Sequence, residues 1–73
     1  MPKTISGSDL VKFLSKRGFA IYSRKGSHVK LVSAHRQTKT IVPMHKEISP
    51  PTLHAIFRQA KLTNEEIAEL KTL

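Results

Sequence analysis

Cysteine and tryptophan are both absent from this chain of 73 residues. Without cysteine there is no disulfide and no thiolate metal ligand, a composition that suits a reducing cytoplasm. Aromatic residues are few, three phenylalanines and one tyrosine, so any core must be mainly aliphatic. No apolar run approaches the roughly 20 residues of a membrane span. Pro2-Lys3-Thr4 leads directly into Ser6-Gly7-Ser8-Asp9, with none of the apolar segment of a signal peptide. A soluble, cytoplasmic protein with no membrane partner is expected. Acidic residues are scarce as well: five Asp and Glu stand against thirteen Lys and Arg, a net charge of +8. Residues 63–73 hold three of those acids and one lysine, a net −2, which leaves +10 on residues 1–62. Polyanions are the natural partners of such a surface.

What is present fits one small domain over residues 1–73, with a modest core. Ser6 followed by Asp9 is a capping signal, and Leu10, Val11, Phe13 and Leu14 then give one apolar face up to a stop at Gly18. From Phe19 to Arg24 the period shortens to two, which predicts a strand, with Phe19 and Ile21 on one side and Ala20, Tyr22 and Arg24 on the other. A tight turn at Lys25-Gly26-Ser27 returns the chain into a second strand, His28 to Val32, in which Gly26 can supply a positive φ. A polar loop, Ser33 to Gln37, precedes β-branched Thr38 to Val42, ended by Pro43. Ser49-Pro50-Pro51 opens a helix with Leu53, Ile56, Phe57 and Ala60 on one face. Thr63 with Glu66 caps a short last helix, expected to be acidic outside and to pack through Ile67 and Leu70. The fold class is α+β, ordered α-β-β-β-α plus a short C-terminal helix. Its three-stranded antiparallel sheet carries helices on one face and leaves the other open.

Regular strands would put Tyr22, Arg24, His28 and Lys30 together on that open face. His28 then stands among cations where a phosphate can reach it. Pattern alone favours reading this histidine as an exposed strand residue. Arg24, Lys25, Lys30, Arg36 and Lys39 are the candidate phosphate contacts, Gly26 and Ser27 shape the turn they surround, and Tyr22 can stack on a base. His45, after Pro43, is a candidate second proton-transfer group. His35 and His54 are expected to face solvent. The histidines lack ligand-like spacing and cysteine partners, so no metal or other cofactor is expected.

Taken together, Ser6-Gly7, Gly18-Phe19, Gly26-Ser27-His28, Val42-Pro43 with His45, and Thr52-Leu53 with Ile56 resemble, in order and spacing, the HicA-type (YcfA-like) toxins of toxin–antitoxin modules. Pro50-Pro51 departs from the polar or glycine residues expected there. The resemblance implies a fold similar to a double-stranded RNA-binding domain, cleavage of messenger RNA, and inhibition by a HicB-type antitoxin. It further implies that His28 is the catalytic residue. Neutral imidazole can take a proton from a 2′-hydroxyl without a metal, since the free group titrates near 6.5, while surrounding cations hold the phosphate. Two other readings fit the same charge: a non-catalytic RNA-binding module, and a protein whose basic face docks an acidic partner.

Overall fold

A computed structural model describes residues 4–72. The elements run α1 (Gly7–Lys16), β1 (Ala20–Lys25), β2 (His28–Ser33), β3 (Thr38–Pro43), α2 (Pro50–Gln59) and α3 (Asn64–Lys71). The three strands form one antiparallel sheet in the order β1-β2-β3, with β2 central. This is the predicted α+β order. Among the described residues no helix is long and apolar enough to cross a membrane.

Each boundary has a local cause. The Ser6 side chain accepts from Asp9 N–H at 3.0 Å and starts α1. At the other end Gly18 takes φ +94°, its N–H donates to Ser15 O, and Phe19 N–H donates to Leu14 O at 3.0 Å. This is a Schellman cap, and it commits the Phe19 amide to the helix. The first strand therefore begins one residue later than its sequence pattern predicts. The α2 end repeats the device with Lys61 at φ 56° and Leu62 N–H bonded to Phe57 O. In α3 the capping box is complete, Glu66 N–H donating to Thr63 Oγ1 and Thr63 N–H to Glu66 Oε1.

One sheet face carries the core. Val29 and Leu31 of β2 and Val42 of β3 are fully buried with Leu10 and Leu14 of α1 and Leu70 of α3; Ile56 and Phe57 of α2 join them. Burying each such side chain contributes about 1.5–3 kcal/mol relative to exposure. Thr40 lies on the same face and spends its hydroxyl on Gln59 of α2. The final helix is acidic outside through Glu65 and Glu69, as expected, and departs from that expectation at one residue. Its Glu66 turns inward and accepts two bonds from Arg36, at 2.8 and 2.6 Å, while Arg17 pairs with Glu69. Ile67 and Leu70 pack inward, as their spacing implies.

Candidate functional site

The hairpin turn presents the first histidine. Lys25 pairs with His28, leaving Gly26 and Ser27 as a two-residue loop, and Gly26 at φ 59° supplies the single positive φ that a type II′ turn requires. Ser27 acts through its carbonyl, which accepts from Met44 N–H at 2.6 Å. That bond extends the β2–β3 pairing one step past His28↔Pro43 and ties the turn to the segment after β3.

Facing residues in a ladder share a side, so the register sorts the cations. Lys30 faces Ser23 and Ile41, and Lys39 faces Val32, all opposite to the buried Val29 and Leu31. Lys25, on β1, faces His28 on this open side. Lys25, Lys30 and Lys39 thus run diagonally across the three strands, each about 7–8 Å from the next at the backbone. Lys39 also stands over the Tyr22 ring, its Nζ 5.7 Å from the centroid. Tyr22 (50 % exposed) and Ile41 (45 % exposed) are the large apolar side chains of the open face.

Two cations fall elsewhere than the alternation predicts. The β1–β2 register shifts between Ile21 and Ser23, a bulge at Tyr22. One extra residue reverses the alternation that follows, so Arg24 faces Val29 and leaves the open side that His28 occupies. Arg36, in the β2–β3 loop, is engaged by Glu66 and by the Lys61 carbonyl, and its guanidinium lies 5.8 Å from the Phe19 ring centroid. It is a structural ion pair that joins the β2–β3 loop to α3. Glu66 is correspondingly strong as an acid: the Arg36 hydrogen bonds, helped by the Thr63 N–H and outweighing the cost of burial, lower its pKa to about 2.

His28 and His45 line the same cleft of ≈ 370 Å³ beside β3, with Ile41 and Pro43 as its apolar wall and Glu47, Ser49 and Thr52 on its other side. His45 is positioned through its backbone, whose carbonyl accepts from Gly7 N–H at 2.9 Å, while Ile48 N–H donates to Ile5 O nearby. The start of α2 supplies hydroxyls in place of amides. Pro50 and Pro51 remove two N–H donors from its first turn, and Ser49 Oγ donates to Thr52 Oγ1 at 3.0 Å. Glu47, Ser49 and Thr52 were not singled out by the sequence pattern. Glu47 nonetheless carried a signal as the one acid between Asp9 and Glu65, two residues from His45. His35 and His54 are exposed away from this cleft. Among the described residues no group of three His, Cys, Asp or Glu is disposed to hold a metal ion.

The chemistry such a cleft can perform is proton transfer at an anionic ester bound on a cationic sheet face. No curated protein matches the chain. A family model described as "HicA toxin of bacterial toxin-antitoxin" matches residues 7–62, from the first residue of α1 to just beyond α2.

Proposed function

Given that the chain belongs to the HicA toxin family of bacterial toxin–antitoxin modules, we propose that it is an endoribonuclease. It cuts messenger RNA with His28 as general base and is neutralised by a HicB-type antitoxin that covers the same basic face. The observation that carries this reading is the placement of an exposed histidine at the mouth of a cleft, beside a lysine diagonal able to hold a phosphodiester. Lys25 and Lys30 bind the phosphate and offset the charge that develops on it, and His28 takes the proton of the attacking 2′-hydroxyl. Gly26 and Ser27 set the turn that aims the imidazole. Occlusion suffices for inhibition, because an acidic partner on the open face competes with RNA for the same charges.

The test is induction of the wild type and of His28→Ala from a tightly repressed promoter, following growth and bulk messenger RNA. The expected result is arrest with loss of message for the wild type and neither for the variant, which still binds RNA. A positioned general base contributes about 10²–10⁴ in rate, so residual cleavage should be barely detectable. Equal arrest by both proteins would mean toxicity by binding alone and would leave the non-catalytic RNA-binding module standing.

A further inference from the structure

The residues immediately before the two cleft histidines are bonded to each other, Met44 N–H to Ser27 O at 2.6 Å. His28 faces Pro43, so His45 lies two residues beyond the partner of His28. His45 itself stands past the end of β3, and the Met44 to Ser27 bond is what ties its segment to the turn that carries His28. The Gly7 N–H fixes the His45 backbone from the other side at 2.9 Å. Both histidines thereby border one cleft of ≈ 370 Å³.

Two histidines on one cleft matter because displacement at phosphorus runs in line. The entering 2′-oxygen and the departing 5′-oxygen lie on opposite sides of the phosphorus, so a base and an acid must stand apart. One histidine serves one side only. We propose that His45 is the general acid that protonates the leaving oxygen, an inference that rests on the ribonuclease reading above. In the step, His28 accepts the proton of the 2′-hydroxyl and the 2′-oxygen forms its bond to phosphorus. The bond from phosphorus to the 5′-oxygen breaks, and that oxygen takes the proton carried by His45. The products are a 2′,3′-cyclic phosphate and a 5′-hydroxyl. Both rings are solvent-exposed, so water resets their protons between turnovers.

The surroundings of the two rings differ: Lys25 and Lys30 neighbour His28 on the sheet, whereas His45 is followed by Lys46 and by Glu47, which lines the same cleft. Ser49 and Thr52 complete that wall with hydroxyls, which carry no charge to oppose the phosphate.

The experiment compares two forms of one oligoribonucleotide cut by the wild type: the natural RNA, and the same RNA with sulfur replacing the 5′-oxygen at the scissile bond. A thiolate leaves without being protonated. His45→Ala, which keeps the backbone carbonyl that Gly7 holds, should slow cleavage of the natural RNA by about 10²–10³. On the sulfur substrate it should return to within about threefold of the wild type. His28→Ala should stay slow on both, and the natural products should carry cyclic phosphate ends. Unchanged cleavage of the natural RNA by His45→Ala, or an equal loss on both substrates, overturns the acid role. So does rescue by sulfur of Glu47→Gln in place of His45→Ala, which would transfer the role to the carboxyl. A wild type that cuts neither RNA defeats the ribonuclease reading itself, and is distinguishable from these outcomes because no variant is needed to see it.

Discussion

Gly7 holds the cleft by lacking a side chain. A Cβ at this position would overlap the Pro43 carbonyl oxygen and crowd Met44 Cα, so α1 could no longer seat its first residue on the end of β3. Gly7→Ala should therefore cost about 1–3 kcal/mol of stability by overpacking, read as a lowered midpoint in urea. It should also reduce RNA cleavage under conditions where the variant remains folded, because the same contact delivers the His45 carbonyl to the Gly7 N–H. Loss of stability with full activity would show that α1 does not set the cleft. The roles of Gly18 and Gly26 were legible in the sequence, since each follows a run whose period ends at it. That of Gly7 was not, because the demand comes from a carbonyl in a distant strand. Arg36 misled for a related reason. A basic loop residue looks like a phosphate ligand until the carboxylate that claims it is brought alongside by α3.

At the level of elements, the periods of α1, β2, β3 and α2 were readable because each buries one face against a common core. The bulge in β1 was not, because this edge strand buries no side chain that would mark the change of phase. Its effect on Arg24 could be seen only in the register. The third helix was predicted from its capping box, and its packing through Ile67 and Leu70 followed. The clasp formed by Arg36 and Glu66, whose side chains are 18 % and 13 % exposed, required the tertiary fold. That clasp gives α3 a dependence on pH. Glu66 has a lower pKa folded, about 2, than its ordinary 4.5, so its stabilisation is fully present above the ordinary value. It is lost as pH falls through the folded value. Glu66→Gln should destabilise the protein at pH 7 by about 1–3 kcal/mol. Thermal melts should show the gap between variant and wild type closing from about pH 5 towards pH 2; a gap that stays constant across that range would remove the ion pair as its source.

Across the whole molecule, the excess of positive charge was evident from composition, but which charges could act together was not. The ion pairs to α3 engage Arg17 and Arg36, and the bulge diverts Arg24. Lys25, Lys30 and Lys39 remain on the open face. If a single-stranded RNA contacts these three, log affinity should fall with log salt with a slope of about −2, at roughly 0.7 per phosphate. Lys30→Gln should make that slope shallower by about 0.7, measurable by fluorescence anisotropy with the His28→Ala protein to prevent cutting. A slope near zero would argue against the diagonal as the binding track. The segment from Met44 to Ser49 belongs to no helix or strand, yet backbone bonds from Met44 to Ser27, Gly7 to His45 and Ile48 to Ile5 fasten it. Ordering a free loop costs about 1–2 kcal/mol per residue in conformational entropy, a cost that usually falls on the ligand that orders it. Here folding has already met it, so a ligand that enters the cleft does not have to.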